Sequence, residues 1–147
     1  MSNDQWLQAR SAITHATNTG KPVSSVWYLL GPMLRVLQVG LGPLGRRIAN
    51  DLYERGQGEV VAAIDVSAGL AGTKLAGLVP AAKPQLVVQR RVEDVREWSS
   101  IDCAIVATDS SLERCEPTFR DLLAHGLTVV STCEELCFPY ARHPRLI

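Results

Sequence analysis

The chain has 147 residues, 46% of them hydrophobic and 20% charged. This composition is typical of one globular domain and excludes a disordered, collagen-like or coiled-coil protein. Fifteen basic residues balance fifteen acidic ones, which argues against a nucleic-acid partner bound through overall positive charge. The four cysteines are too few and too irregularly spaced for a disulfide scaffold.

The amino terminus lacks the features of a signal peptide. It opens with Asn3-Asp4-Gln5, has no basic first region, and carries polar residues where an apolar core is needed. The longest uncharged apolar run nearby, residues 26–34, is far shorter than the roughly 20 residues of a membrane-spanning helix. We therefore expect a cytoplasmic protein with reduced thiols and no membrane partner.

Residues 1–32 differ in character from the rest of the chain. A weak apolar helical face between Trp6 and Ala16 is followed by Gly20-Lys21-Pro22, which ends it. No chemistry-bearing motif occurs in this stretch. We predict an amino-terminal extension of unclear role over residues 1–32 and a folded domain over residues 33–147.

Beyond the extension, apolar runs typical of buried strands alternate with helical patterns. Leu44, Ile48 and Leu52 recur every four residues on one helical face, and Pro43 is tolerated in the first turn. Pro117 is expected to delay the start of the last helix. The predicted strands are 35–39, 59–65, 86–88, 102–107 and 127–131, the helices are 43–55 and 116–125, and short helices or turns lie near 73–78 and 92–98. The pattern predicts an α/β fold, a Rossmann-like doubly wound parallel sheet with strand order 3-2-1-4-5.

The run Gly-Leu-Gly-Pro-Leu-Gly, which closes the first predicted strand, matches the G-x-G-x-x-G pattern of dinucleotide-binding loops. Gly40 permits the tight turn, Gly42 has no Cβ to hold a pyrophosphate away from the backbone, and Gly45 lets the helix pack closely on the sheet. The helix begins at Pro43 and Leu44, and the unpaired N–H groups at the helix start would face the phosphates. The alternative is a tight turn without a ligand.

Asp65 ends the second predicted strand, 20 residues beyond Gly45. A carboxylate there accepts hydrogen bonds from the adenosine ribose hydroxyls and repels a 2′-phosphate. The sequence therefore favours NAD(H) as cofactor and still allows NADP(H), because Lys74 or a nearby arginine would offset the repulsion. A strand-end turn residue is the alternative for Asp65. S-adenosylmethionine is the runner-up ligand, since its binding folds also use a glycine loop and a ribose-binding acid.

Several segments resemble a known enzyme group. Residues 40–45, 106–111 (Val-Ala-Thr-Asp-Ser-Ser) and 129–136 (Val-Val-Ser-Thr-Cys-Glu-Glu-Leu) are similar to the amino-terminal NAD(P)-binding domain of the dihydrodipicolinate reductase superfamily. The chain most resembles its 2,4-diaminopentanoate dehydrogenase-like, NAD(P)-dependent amine dehydrogenases, to which residues 138–144 are also similar. The glycine loop is generic, whereas the Ser-Thr-Cys-Glu-Glu-Leu segment is considerably more specific. The resemblance extends over residues 33–147.

The resemblance implies the cofactor domain of a two-domain oxidoreductase of amino acid metabolism. Such an enzyme transfers hydride between nicotinamide and a carbon–nitrogen centre of a small amino-acid-derived substrate, and the protein orients the nicotinamide ring. The residues after the fourth and fifth predicted strands would line the nicotinamide half of the cleft. These residues are Thr108, Asp109, Ser131, Thr132 and Cys133.

The substrate domain of such enzymes, with its catalytic acid, follows this segment. We therefore expect the chain to be truncated, and its catalytic residues stay unknown. A cut surface left by the missing domain would favour a homo-oligomer. The alternatives are a non-catalytic nucleotide-binding module and a methyltransferase-like domain that binds S-adenosylmethionine.

Other candidate residues are weaker. Cys133 and Cys137 lack the two-residue spacing of a zinc or redox pair, so no metal site is predicted. Glu134 and Glu135 would contact a cationic amine or orient the nicotinamide loop. Alternatively, one of them is a helix-start carboxylate and the other is solvated. His143 lies where a substrate domain would join.

Overall fold

The structure is a computed structural model and describes residues 33–144. The predicted extension over residues 1–32 lies outside the described residues. Within them, the strands are β1 (Leu34–Val39), β2 (Gly58–Ile64), β3 (Cys103–Val106) and β4 (Thr128–Ser131), and the α-helices are α1 (Pro43–Glu54) and α2 (Leu112–Ala124). Short 3₁₀ helices lie at Leu75–Gly77, Val92–Asp94, Trp98–Ser100, Glu134–Cys137 and Pro139–Ala141.

The four strands form one parallel sheet with the order β2-β1-β3-β4. Val36 at the centre pairs with Val60 on one side and with Cys103 on the other. The β1–β2 register then skips one residue, because Leu37 pairs with Ala62 and leaves Val61 as the extra residue of a bulge. The α/β class and the parallel sheet are confirmed, and these strands stand in the relative order that the sequence predicts.

The predicted third strand, residues 86–88, is wrong, and so is the five-strand order 3-2-1-4-5. The backbone of this segment pairs with the chain at residues 73–75 instead: Leu75 N–H donates to the carbonyl of Leu86 at 2.8 Å, and Val88 N–H donates to that of Thr73 at 2.9 Å. Beside β2, the place of a third strand is taken by a single parallel bridge between Ile64 and Gln89. A short apolar run predicts burial, but it does not predict which neighbour accepts its hydrogen bonds.

Helices cover both faces of the sheet. Ala49 of α1 packs with Val60 and Ala63, whereas Phe119 and Leu122 of α2 pack in a second cluster with β1, β2 and β3 residues. Such two-sided burial is why these strands read as continuous apolar runs rather than as alternating ones. No helix in residues 33–144 has the length and apolar surface needed to cross a bilayer.

Helix α2 begins at Leu112, earlier than the predicted start at residue 116, and it contains Pro117. A proline inside a helix costs roughly 3 kcal/mol. The first turns bury Leu112 and Cys115, and each fully buried apolar side chain contributes about 1.5–3 kcal/mol. Burial of the early turns therefore offsets the proline, which the sequence pattern alone did not reveal.

The outer edge of β2 is occupied at two places. The hydroxyl of Tyr53, on α1, donates to the carbonyl of Val60 and accepts from its N–H, both at 3.1 Å. Nearer the end of the strand, Gln89 N–H donates to the carbonyl of Ala63 at 2.8 Å. By contrast, Val130 on β4 at the opposite edge is 55% exposed.

Candidate functional site

The glycine loop between β1 and α1 is held by two close backbone contacts. Gly40 has φ +88°, and a Cβ there would overlap the carbonyl of Ala107 at the end of β3. A Cβ on Gly45 would overlap the carbonyl of Gly40. A Cβ on Gly42, in contrast, would meet no atom within 4 Å. The first and last glycines are therefore required by the fold, whereas the middle one borders open space.

Unpaired N–H groups gather beside that open space. Arg46 N–H donates to the carbonyl of Gly42 at 3.0 Å, at the start of α1, and Pro43 has no N–H. Within residues 33–144 no acceptor pairs with the N–H groups of Gly42, Leu44 or Gly45. Donors at a helix amino terminus, supported by the helix dipole, are suited to an anion such as phosphate.

Asp65 lies directly beside this loop, at the carboxyl end of β2. One carboxylate oxygen, Oδ2, accepts the N–H of Leu41 at 2.7 Å, and Oδ1 accepts the N–H of Ser67 at 2.8 Å. The Asp65 N–H donates to the carbonyl of Gln89 at 3.0 Å. The sequence predicts the place of this carboxylate, but not that it fastens the glycine loop to β2.

A cavity of about 440 Å³ opens at the carboxyl ends of β1, β2 and β3. It brings together predicted site residues from three connections: Gly40 and Gly42 of the loop, Asp65 after β2 and Thr108 after β3. Pro43, Leu44 and Gly45 begin the helix at its rim but are not among the described residues that line it. Crevices at this end of a parallel sheet are the usual ligand sites of doubly wound folds.

Two arginines line the same cavity, and the sequence analysis missed them. Arg90 and Arg91 follow the residue that bridges to β2. Arg91 is paired with Asp94 at 3.5 Å and lies 3.8 Å from Glu93. Arg90 is exposed and makes no ion pair within residues 33–144. The adjacent basic pair was the available signal, but the predicted elements gave these two residues no place beside Asp65.

Gln38 lies beneath the glycine loop and is fully buried in β1. Its Nε2 donates to the carbonyl of Gly40 at 3.0 Å, while its Oε1 has no partner within the described part of the chain. Glutamine side chains are mostly exposed in folded proteins, and buried polar groups usually have a hydrogen-bond partner. A glutamine inside an otherwise apolar strand was a signal that the sequence analysis did not use.

Of the two predicted site residues after β3, one lines the cavity and the other forms an ion pair. Thr108 is exposed and lines the cavity. Asp109 instead forms a two-pronged ion pair with Arg114 at 2.6 and 2.7 Å and accepts the N–H of Ser111 at 2.8 Å. These contacts, that with Arg114 foremost, lower the pKa of Asp109 to about 2.

The predicted residues after β4 are largely bonded within the fold. Ser131 Oγ donates to the carbonyl of Val106 at 3.1 Å and accepts the N–H of Cys133 at 3.0 Å. Cys133 is buried, and burial raises the pKa of its thiol. Thr132 is exposed, and its N–H donates to the carbonyl of Val106 at 3.1 Å. None of the three is among the described residues that line the cavity.

Glu135 joins the segment after β4 to the amino terminus of α2. Its Oε2 accepts the N–H of Leu112 at 2.8 Å and lies 3.1 Å from Nε2 of His143, while its Oε1 lies 3.3 Å from Arg142. The Leu112 N–H and then His143 lower the pKa of Glu135. Glu135 is therefore a helix-start carboxylate, but the helix whose first N–H it accepts is α2 and not its own short helix. Glu134 is exposed.

Comparison with known proteins gives structural neighbours. No protein-family model matches the chain, and no curated protein matches it. An amine dehydrogenase from Mycobacterium smegmatis superposes with a TM-score of 0.69 and 25% identity, over 79% of this chain and 34% of that one. The chain thus spans about a third of that enzyme. The resemblance to an amine dehydrogenase that the sequence predicts is confirmed.

A second group of neighbours is formed by structures of RSP, a Rex-family repressor. RSP in complex with β-NADH has a TM-score of 0.54 and 20% identity, over 82% of this chain and 60% of RSP. RSP with β-NAD⁺ and operator DNA has a TM-score of 0.54 and 17% identity, over 84% and 63% of the two chains. At these identities the likeness supports the Rossmann-like fold alone.

Proposed function

We propose that residues 33–144 form a domain that binds a nicotinamide adenine dinucleotide, as part of an oxidoreductase. The reaction would be hydride transfer at a carbon–nitrogen centre of a small amino-acid-derived substrate. Support comes from the 25%-identical amine dehydrogenase together with the motif after β4. The observation that carries the proposal is the open space at Gly42 beside unpaired N–H groups.

The residues present fit a dinucleotide. The diphosphate would lie against the N–H groups of Gly42 and Leu44, where a side chain at position 42 would intrude. Asp65 would contact the adenosine ribose, and Thr108 would lie towards the nicotinamide half. When bound, the cofactor supplies the hydride chemistry, while these residues bind and orient it. The nicotinamide end of the binding site would be shaped mainly by backbone whose position is fixed by the hydrogen bonds of Asp109, Ser131, Thr132 and Cys133.

Catalysis would need a general acid and substrate-binding groups in addition to the cofactor-binding residues. The amine dehydrogenase is about three times as long as the part that matches, and no general acid is assigned to this chain. The proposed full activity therefore depends on a substrate domain supplied by a longer polypeptide or a partner. Self-association through an uncovered surface stays a prediction.

The decisive experiment titrates NADH into the purified chain and into its Gly42→Ala variant by calorimetry. Gly42 has φ −63° and free space around its Cα, so alanine fits the fold. We expect unchanged thermal unfolding and a loss of NADH affinity of tenfold or more (about 1.4 kcal/mol), because the methyl group occupies the place of the diphosphate.

Gly77→Ala is the matched control. A Cβ at Gly77 also meets no atom within 4 Å, and this glycine lies in a 3₁₀ helix away from the cavity. We expect wild-type binding from this variant. Equal NADH affinity in the wild type and in Gly42→Ala would contradict the proposed placement of the diphosphate. Tight binding of S-adenosylmethionine with none of NADH would favour the methyltransferase-like alternative.

The second candidate function is a nucleotide-binding module without catalysis. It is favoured by the internal bonding of the residues after β3 and β4, which leaves few side chains free to act on a substrate. NADH binding without amine-dependent NAD⁺ reduction, even after the longer polypeptide is supplied, would select this function. The expectation of no nucleic-acid partner rests on the balanced charge and is tested by adding duplex DNA to the same titration.

A further inference from the structure

The peptide group that joins Gly40 to Leu41 is held at both ends by side chains. Its carbonyl accepts a hydrogen bond from Nε2 of Gln38 at 3.0 Å, and its N–H donates to Oδ2 of Asp65 at 2.7 Å. Within residues 33–144 no backbone N–H donates to the Gly40 carbonyl. Because the carbonyl and the N–H point in opposite directions from one planar unit, the two contacts together fix how this peptide is rotated.

The conformational freedom of Gly40 makes such control necessary. Gly40 has φ +88°, and glycine resists rotation of the adjoining peptide less than any other residue does. A half-turn of the peptide would direct the Gly40 carbonyl towards Asp65, where two acceptors would face each other. Gly40 and Asp65 both line the cavity, so the half-turn would replace an N–H donor by an acceptor on the side where an anion is expected.

Packing alone does not explain a glutamine at position 38. The side chain is fully buried in the inner strand β1, between Ala63 of β2 and Ile105 of β3. Its Oε1 has no partner within the described part of the chain, and an unpaired buried acceptor lowers stability. An unbranched methionine would fill similar space without that cost. What the glutamine adds is an N–H donor for the Gly40 carbonyl.

Resting on the proposed function, we infer that Gln38 is a positioning residue for dinucleotide binding. It is not among the described residues that line the cavity, and it acts through the Gly40–Leu41 peptide. Gln38 keeps the Gly40 carbonyl turned into the protein, where a Cβ on Gly45 would overlap it, and so keeps the Leu41 N–H on Asp65. The glycine loop therefore meets the diphosphate in one conformation, and less free energy is lost in ordering it on binding.

Gln38→Met tests this role, because it removes the donor and keeps the length of the side chain. The first measurement needs no ligand and follows amide hydrogen exchange of the whole chain by NMR. We expect the Leu41 N–H to exchange at least about tenfold faster than in the wild type. The Ala107 N–H, which donates to the Val39 carbonyl at 2.8 Å, should change less than about twofold.

The second measurement is the dissociation constant of NADH, determined by calorimetry. Gln38→Met should bind NADH about fivefold more weakly, since the hydrogen bond that orients the loop is lost. Its melting temperature should stay within about 4 °C of that of the wild type. Gln38→Leu removes the same donor and is measured in parallel, so that the role stays testable if one variant does not fold.

Leu37→Met is the matched control. It introduces the same side chain at the neighbouring, fully buried position of β1. Successive side chains of a strand point to opposite faces, and Leu37 packs in the cluster that contains Phe119 and Leu122 of α2. This variant should bind NADH as the wild type does and leave the exchange of the Leu41 N–H unchanged.

The outcomes separate this inference from the proposed function. Unchanged NADH affinity in Gln38→Met, or unchanged exchange at Leu41, would overturn the positioning role and leave the proposed function standing. Equal acceleration at Leu41 and Ala107 would also overturn it, because weaker binding would then follow from a general loss of stability. If a folded wild-type chain binds no NADH, the proposed function falls and the positioning role falls with it.

Discussion

Two regions at the carboxyl ends of the strands, one at the glycine loop and one after β3 and β4, differ in how their polar groups are used. On the glycine-loop side, the N–H groups of Gly42 and Leu44 have no acceptor within residues 33–144, and a Cβ at Gly42 would stand in open space. On the β3–β4 side, defined by residues 108–111 and 131–135, most polar groups are bonded within the fold. Asp109 pairs with Arg114, for example.

This difference separates binding from support. Unpaired donors at a surface are available to a ligand, whereas donors and acceptors that satisfy one another hold the backbone in place. The glycine-loop side thus has N–H donors available to an anion, whereas the polar groups of the β3–β4 side mainly hold the backbone in place. Substitutions on the two sides should therefore act differently on stability and on dinucleotide affinity.

The largest effect is expected from Gly45→Ala. The new Cβ would overlap the backbone carbonyl of Gly40, and backbone cannot rotate away as a side chain does. Overpacking of this kind typically costs about 1–3 kcal/mol, and we expect the upper end in urea unfolding, with NADH affinity lost together with the loop. Stability equal to that of Gly42→Ala would contradict the distinction between the glycine that the fold requires and the glycine that borders open space.

Ser131→Ala should have an intermediate effect on the β3–β4 side. It removes the bonds of the hydroxyl to the carbonyl of Val106 and to the N–H of Cys133, so we expect a loss of about 1 kcal/mol in unfolding free energy. NADH affinity should change less than about twofold. Thr132→Ala, which removes the hydroxyl of an exposed neighbouring residue, is the control and should leave stability unchanged. A large loss of affinity in Ser131→Ala without loss of stability would make Ser131 a direct ligand contact and break the comparison.

The smallest effect is expected from Asp109→Asn, and it depends on pH. The folded-state pKa of Asp109 is about 2 against an ordinary 3.8, so the ionised carboxylate favours the folded state. Its contribution is complete above about pH 4 and is lost as the pH falls towards about 2. Melting temperatures of the wild type and the variant should therefore differ near neutral pH and converge in acid. A difference that persists at low pH would mean that Arg114 is not the cause.

Much of the sheet, including its edge strand β4, could be predicted from local pattern, but the arrangement beside β2 could not. Residues 35–39 and 59–65 form long apolar runs whose burial leaves few alternatives, and their strands were correctly predicted. The segment 86–88 has the same character but is only three residues long. Its hydrogen bonds go to residues 73–75, a choice made by tertiary packing. The start of α2 was misplaced for a related reason, because burial of Leu112 and Cys115 together offsets the local cost of proline.

The candidate site was likewise predictable only where local pattern fixes the backbone. The positions of Gly40, Gly42 and Asp65 follow from strand ends and spacing, which fix where the backbone turns. The partners of Asp65 and the approach of Arg90 depend on how the chain after β2 returns to the sheet. That return is set by the Gln89 bridge, for which the sequence carries no periodic signal.

The occupied edge of β2 has a consequence for how this sheet can grow. The Tyr53 hydroxyl is hydrogen-bonded to both backbone groups of Val60, and the backbone of Gln89 is bonded to the Ala63 carbonyl and the Asp65 N–H. An additional strand could therefore not form regular backbone hydrogen bonds along this edge of β2. At the other edge, the outward backbone of β4 makes no hydrogen bond to other described residues, and Val130 is exposed. Any strand that enlarges this sheet, from the same polypeptide or from another, therefore has to pair with β4. Extension in one direction keeps a growing sheet away from the Asp65 end of the cavity.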